Sequence, residues 1–297
     1  MGDCLEVMKE IPDGVVDMIL CDLPYGTTAC SWDSVIPFEP LWEQYKRIIK
    51  PSGAIVLTAA QPFTSALVMS NAENFKYCWI WYKNGVTNVA NAKKMPMRNY
   101  EDVCVFYKKP PTYNPQGLIY DPKVKKNGKS VGGETLRTSV EKSAGKGALR
   151  TEGHKYIQEF TNYPRQVLQI NQNSRNKIHP TQKPVELFEY LIRTYTNEGE
   201  LVLDNCAGSG TTAIAAENCG RRWVCIEQLE EYANKAVERI LNHVPEVKPN
   251  STIQIDDNIP IPEGEEDGNE AVDKVLSKID KELMQTGCSH YEQKKEF

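Results

Sequence analysis

Asp22-Leu23-Pro24-Tyr25 closes an apolar run near the start of this 297-residue chain and combines the residue types needed to hold an amino group. An exocyclic amine on a nucleobase is a poor nucleophile, because its lone pair is delocalised into the ring. A carboxylate at Asp22 and the backbone carbonyl of Leu23 would accept its two N–H bonds. That would draw the nitrogen toward tetrahedral geometry and free the lone pair for in-line attack on a methyl group. Pro24 would stiffen the loop, and Tyr25 would offer a flat face to an extruded base. As a lone tetrapeptide, the same residues read equally well as an Asp-x-Pro turn with a core tyrosine.

A second loop, Asp204-Asn205-Cys206-Ala207-Gly208-Ser209-Gly210-Thr211-Thr212, closes another apolar run far downstream. Small residues between a strand and a helix let the backbone approach a ligand and turn the first helical amides toward it. The loop lacks the lysine of a phosphate-binding P-loop and the third glycine of the dinucleotide fingerprint. Glu227 follows at the end of the next strand, roughly 20 residues on, where an acid can grip ribose hydroxyls. Loop and acid together imply an adenosine-type cofactor at the carboxyl ends of neighbouring strands.

The elements that must position these loops alternate along the chain. Val15 to Cys21 reads as a buried strand. Pro40 to Ile49 has helical spacing (Leu41, Tyr45, Ile48, Ile49) and stops at Pro51 and Gly53. Further strands are expected at Ala54–Thr58, Tyr77–Tyr82, Val103–Tyr107, Leu201–Leu203 and Trp223–Ile226. Further helices are expected at Pro62–Asn71, Val185–Thr194, Thr211–Asn218 and Tyr232–His243. This alternation predicts an α/β sheet. From Pro110 to about Asn176 the pattern dissolves into a long insertion, and beyond Pro245 the chain is rich in Pro, Asp and Glu, a weakly attached tail expected to carry one helix in the amphipathic stretch from Glu270 to Met284.

The net charge of −5 hides an asymmetry. From Lys83 to Lys177 there are 18 Lys and Arg against 7 Asp and Glu, and after Pro245 there are 6 against 13. A basic middle with an acidic tail suggests a nucleic-acid-facing segment, the simpler reading being a solvated lysine-rich loop. Nothing approaches the roughly 20 apolar residues of a membrane helix, and no secretion signal opens the chain. The nine cysteines form no C-x-x-C pair and no zinc-spaced cluster, so no metal site is expected. Cys21, Cys78, Cys104, Cys206 and Cys225 lie in apolar runs, which suits reduced, mostly buried thiols in a cytoplasmic setting.

The chain resembles the β class of S-adenosylmethionine-dependent DNA amino-methyltransferases. These carry a D/N/S-P-P-Y motif first, then a target-recognition region, an H-P-T-Q-K-P segment and the D-P-F-x-G-S-G-T-T cofactor loop. Asp22–Tyr25, the basic insertion, His179-Pro180-Thr181-Gln182-Lys183-Pro184 and Asp204–Thr212 occur here in that order. Asn99-Tyr100-Glu101-Asp102 and Lys108 are similar to the family's H-E-hydrophobic-K stretch. The resemblance covers roughly residues 1–109 and 177–243, and the six-residue match at His179–Pro184 is its most specific part.

That resemblance implies a Rossmann-like α/β methyltransferase sheet in circularly permuted motif order. The expected parts are a catalytic half at 1–109, a basic target-recognition insertion at 110–176, a cofactor-binding half at 177–244 and an acidic tail at 245–297. Asp22, Leu23, Pro24 and Tyr25 would act on the target amine and base. The cofactor, S-adenosylmethionine, would be held by Asp3, Asp22, His179, Thr181, Gln182, Lys183, Asp204, Ala207, Gly208, Ser209, Gly210, Thr211 and Glu227. Candidate phosphate contacts are Lys93, Lys94, Arg98, Lys125, Lys126 and Lys129. Two departures stand out: Leu23 replaces the first proline of the motif, and Asn205-Cys206 replaces Pro-Phe.

Asp rather than Ser at position 22 favours N6 of adenine in duplex DNA over N4 of cytosine, by resemblance. The implied setting is a bacterial or phage-encoded enzyme, monomer or homodimer, with or without a partner restriction endonuclease. RNA or protein-glutamine methyltransferases with an N-P-P-Y loop are the nearest rival, but usually place the cofactor loop first. A nucleotide-dependent oxidoreductase lacks support from the glycine pattern, and an inactive DNA-binding relative sits poorly with an intact Asp22, Pro24 and Tyr25.

Overall fold

The computed structural model describes residues 1–28, 30, 33–120, 160–172, 182–245 and 253–255. Two compact units result: Met1–Leu118 with Asn162–Thr252, and Ile119–Thr161 with Ile253–Phe297.

The first unit is built on a seven-stranded sheet. Its strands are β1 (Val16–Asp22), β2 (Ile49–Ala59), β3 (Phe75–Thr87), β4 (Arg98–Phe106), β7 (Val167–Gln169), β8 (Leu201–Asp204) and β9 (Arg222–Cys225), in the order β7-β3-β4-β2-β1-β8-β9. β2, β1, β8 and β9 run parallel, whereas β4 is antiparallel to both β2 and β3. Alternate residues of each central strand feed opposite layers, as the period-2 geometry of a strand requires. Ile19, Cys21, Ile55 and Leu57 pack with Leu41, Tyr45 and Ile48 of α2 (Phe38–Ile48) and Leu67 of α3 (Phe63–Ser70). Met18, Leu20, Ala54 and Val56 pack with Leu187, Leu191 and Ile192 of α4 (Val185–Tyr195) and Ala215 of α5 (Thr211–Asn218). Each fully buried Leu, Ile, Val or Met side chain among these contributes about 1.5–3 kcal/mol. The result is the helix–sheet–helix layering of a Rossmann-like fold.

The α2 helix shows how the sequence dictates its part. Leu41, Trp42, Tyr45 and Ile48 share the buried face, Glu39 lies in the first turn, and Lys46 and Arg47 lie in the last, all matching the helix dipole. The crossovers then decide where a ligand can bind. From β1 the chain passes through α2 to β2 on one side, and from β8 it passes through α5 to β9 on the other. β1 and β8 are neighbours, so the two connections diverge between them and leave a crevice at their carboxyl ends.

Between residues 110 and 176 the structure adds three strands where no periodicity is visible. β5 (Leu118–Tyr120) and β6 (Phe160–Thr161) pair antiparallel in a small sheet with β10 (Ile253–Ile255), and the Tyr120 and Phe160 rings lie 5.7 Å apart. β7 instead joins the main sheet beside β3. Strands of two or three residues are too short for a hydrophobic period to register. The expected helix at Glu270–Met284 lies outside the described residues. Among the described residues, no helix is long and apolar enough to cross a membrane.

Candidate active site

A cavity of about 750 Å³ opens at the carboxyl ends of β1 and β8, bordered by Asp3, Asp22, Lys183, Ala207, Gly208 and Glu227 among others. Its volume falls within the ~300–1,000 Å³ usual for small-ligand sites.

One wall is the loop after β8. Gly208 and Gly210 have φ values of 50° and 72°, left-handed conformations that favour glycine. A Cβ at Gly210 would come within 3.2 Å of both Ala236 and Ile240 on α6 (Glu230–Leu241), so glycine at this position also lets α6 pack closely. Ser209 and Thr211 border the cavity, but their hydroxyls are engaged by Arg239, which also donates to the Ser209 carbonyl oxygen at 2.9 Å. Asp204 braces the loop from beneath. Its carboxylate accepts from the Cys206 amide at 3.0 Å and from the Thr212 hydroxyl. Burial pushes that carboxyl up to about 6, even against these two donors.

The facing acid is already fixed. Glu227 accepts the Gly208 amide on Oε2 at 2.8 Å and the Leu229 amide on Oε1 at 2.9 Å. Its own carbonyl accepts the Gly2 amide at 3.0 Å, which brings the N-terminal segment to the same wall. Asp3 caps the short helix α1 (Cys4–Val7) by accepting from the Leu5 amide at 2.8 Å. Gln182 also borders the cavity. His179 and Thr181 lie outside the described residues, as do Lys125, Lys126 and Lys129.

These features fit S-adenosylmethionine by their chemistry. The left-handed glycine loop, Ala207 and an acid held across from them supply an open backbone beside a carboxylate, as an amino-acid and ribose ligand needs.

The opposite wall is the loop after β1. Asp22 ends the strand opposite Thr58 of β2. Its Oδ1 accepts from the Thr58 hydroxyl and from the Tyr25 hydroxyl at 2.8 Å, and its Oδ2 accepts from Lys183 Nζ at 2.6 Å. Leu23 is buried in the core, which anchors the loop beside Pro24. The Tyr25 ring stacks on Phe63 with centroids 5.1 Å apart, and burial, then the charges of Asp22 and Glu101, keep its phenol protonated well above the usual range.

Three features of this wall escape the sequence reading. Lys183, expected to close the cofactor pocket, borders the cavity and places its ammonium on Asp22. Glu101 of β4 pairs with Lys83 of β3 and lies 3.4 Å from Lys183 through Oε2. The lysine side chains are each 6% exposed, so two cations and two carboxylates share a nearly dry site. Burial alone would lower the Lys183 pKa, but Asp22 and Glu101 outweigh it and keep the ammonium charged. The Glu101 Oε2 atom itself accepts no hydrogen bond.

The third is Asp33, whose carboxylate accepts the amides of Gly26 at 2.9 Å, Thr27 at 2.9 Å and Thr28 at 2.6 Å. Burial would raise its pKa, but donors from Thr28, Gly26 and Thr27 prevail and hold it below the ordinary carboxylate range. It pins the residues that follow Asp22–Tyr25. Of the expected phosphate contacts, Lys93 and Lys94 are exposed on the loop between β3 and β4, and Arg98 borders the cavity while donating to the Gln61 carbonyl at 3.0 Å.

Comparison with known proteins agrees with this architecture. The N6/N4 family model described as "DNA methylase" matches residues 16–238. The DNA adenine methyltransferase YhdJ of Escherichia coli is 26% identical over 255 residues, covering 80% of this chain and 81% of the relative. Among solved structures, the cytosine-N4-specific PvuII DNA methyltransferase superposes with a TM-score of 0.56 at 19% identity, covering 83% of this chain and 87% of that one. The M1.HpyAVI–S-adenosylmethionine complex superposes with a TM-score of 0.52 at 22% identity, covering 80% and 96%. The family match spans the sheet, both loops and Lys183, and the chain therefore belongs to the N6/N4 DNA methylase family of S-adenosylmethionine-dependent DNA methyltransferases.

Proposed function

We propose that this DNA methyltransferase acts on N6 of adenine, extruding the base from duplex DNA and methylating it by direct displacement. The observation that carries the reading is one cavity with the Asp22 loop on one wall and the Gly208–Glu227 pair on the other.

When bound, S-adenosylmethionine supplies an electrophilic methyl group. Glu227, oriented by two backbone amides, keeps lone pairs for ribose hydroxyls. Asp3 faces the adenine end, and Ala207 and Gly208 line the methionine end. Asp22 and the Leu23 carbonyl accept the two N–H bonds of the target amine, and Asp22 takes the proton that the nitrogen sheds once alkylated. Tyr25, braced by Phe63, offers aromatic surface to the extruded base. Lys93, Lys94 and Arg98 contribute phosphate contacts.

The carboxylate pair gives Lys183 a place to go. An arriving amine competes with Lys183 for Asp22, and the unused Oε2 of Glu101 already lies 3.4 Å from the ammonium. A small shift of Lys183 toward Glu101 leaves Asp22 free without stranding a buried charge. Glu101→Gln should lower the single-turnover methylation rate roughly tenfold, about 1.4 kcal/mol, with cofactor affinity unchanged. In a Lys183→Met background the same substitution should do little. Equal losses in both backgrounds would count against the handover.

Asp at position 22 favours adenine. The two named relatives act on different bases, one an adenine and the other a cytosine-N4 enzyme by name. Incubation with unmethylated DNA and labelled S-adenosylmethionine, followed by nucleoside digestion, should yield N6-methyladenine. N4-methylcytosine would overturn the base assignment, and label on RNA or protein but never on DNA would overturn the substrate.

A further inference from the structure

The β3–β4 hairpin carries a surface that the chemistry above leaves unused. Its outermost ladder pair, Thr87 and Arg98, borders the cavity that holds Asp22. Residues 88–97 form the tip beyond that pair. Loop tips in soluble proteins are usually polar and mobile, but this one is tightly hydrogen-bonded within itself.

Asn88 adopts a left-handed φ of 67° and accepts from the Asn91 side chain at 2.6 Å. The Asn91 amide donates to the Asn88 carbonyl at 3.0 Å, and Ala92 donates to Val89 at 3.0 Å. Lys94 and Met95 both donate to the Asn91 carbonyl, at 2.8 and 3.0 Å. A backbone so closed on itself holds its side chains in defined directions, and here several apolar ones face water. Val89 is 61% exposed, Met95 50% and Met97 44%. Lys93 and Lys94 sit between them in sequence.

We propose that this tip is a wedge for the base stack of duplex DNA. When the target base leaves the helix, Val89, Met95 and Met97 enter the gap, and Lys93 and Lys94 hold the flanking phosphates. The inference rests on the base-extrusion reading above.

Its physical basis is simple. An extruded base leaves an apolar slot between two unstacked neighbours, and apolar side chains fill such slots in other DNA-distorting proteins. Methionine suits a slot of irregular shape, because its unbranched thioether adapts to the walls. The adjacent lysines supply the charge complementary to a phosphate backbone, which the apolar residues alone would not. Continuity supplies the rest of the argument. The wedge and the cavity rim belong to one hairpin, so what fills the gap is joined to what borders the site of the extruded base. Exposed apolar groups of this kind otherwise weaken solubility, which sets them apart from ordinary loop residues.

The test compares two duplexes that carry the methylation site read from the enzyme's own product DNA. In one the target base is paired; in the other it faces an abasic site, so extrusion is already easy. For the triple variant Val89→Ala, Met95→Ala, Met97→Ala, single-turnover methylation of the paired duplex should fall roughly tenfold or more, as loss of a stacking contact implies. On the abasic duplex it should return to within about threefold of the unaltered enzyme. Lys93→Ala with Lys94→Ala should instead weaken binding to both duplexes and reduce the salt slope of log K by up to about two.

Equal slowing of the apolar variant on both duplexes, or no slowing on either, would overturn the wedge. The unaltered enzyme separates this from the underlying reading. If it neither binds nor methylates the abasic duplex better than the paired one, opening the base pair costs it nothing and both ideas fall. If it gains on the abasic duplex while the variant matches it throughout, only the wedge falls.

Discussion

Asp22→Ala will slow methyl transfer to DNA roughly 10³-fold, about 4 kcal/mol in the barrier, while cofactor affinity changes less than about twofold. The size follows from what the carboxylate does. In the proposed mechanism it is the charged member of the acceptor pair that localises the amine lone pair, and charge-assisted acceptors are the stronger kind. Alanine also releases the three groups that converge on Asp22, namely Thr58, Tyr25 and Lys183. Tyr25 then loses its hydroxyl anchor, although Phe63 still supports its ring. Lys183 keeps Glu101 as a partner, so the buried ammonium is not stranded and the fold should survive. Asp22→Asn should fall between, because one oxygen remains for Thr58 and Tyr25 while an amide NH₂ meets Lys183. Single-turnover methylation and calorimetric titration with S-adenosylmethionine separate rate from binding. Activity within tenfold of the unaltered enzyme would remove Asp22 from the chemistry.

Glu227→Ala should act on the other wall and on the other quantity. The two charge-assisted hydrogen bonds proposed from Glu227 to ribose would contribute about 1.5–3 kcal/mol each, and loop disorder would add to their loss. Cofactor affinity should therefore weaken roughly 10²- to 10⁴-fold, with the rate at saturating cofactor changed only a few-fold. The loop enters because Glu227 also ties down the amides of Gly208 and Leu229. Glu227→Gln keeps one acceptor for those amides and should retain more affinity than alanine. Calorimetry and the KM for S-adenosylmethionine read the effect directly. Unchanged affinity would remove Glu227, and the loop it ties down, from cofactor binding.

The two substitutions together test the division of labour between the walls. Asp22→Ala is a loss of rate and Glu227→Ala a loss of binding. A result with the pattern exchanged would place the target base where the cofactor is expected.

Much of this site could be read along the chain, and the reason lies in how α/β sheets are made. Asp22–Tyr25 and Gly208–Gly210 are short runs at the ends of apolar strands, and Glu227 ends the next strand, so each is a local pattern. Strand, turn and helix signals extend over a few residues, and the elements formed where they were expected. The α5 helix matches at both ends, at Thr211 and Asn218. The pieces that stayed hidden are pairings between distant segments. Lys183 meets Asp22 across 161 positions, and Tyr45 donates to Asn205 at 2.5 Å across 160. Glu101 stands in a motif-like stretch and Lys83 is an ordinary charge in the sequence, and they become partners only because β3 and β4 pair antiparallel.

By itself, then, the sequence determined the two loops, the acid after the second and the alternation of elements that carries them, because hydrophobic period and turn chemistry are properties of neighbouring residues. Tertiary structure decided that β8 lies beside β1, that Lys183 pairs with Asp22, and that Glu101 lies 3.4 Å from the same ammonium. Those relations depend on strand order and on charges that must find partners once water is excluded, and neither is a property of any one stretch of chain.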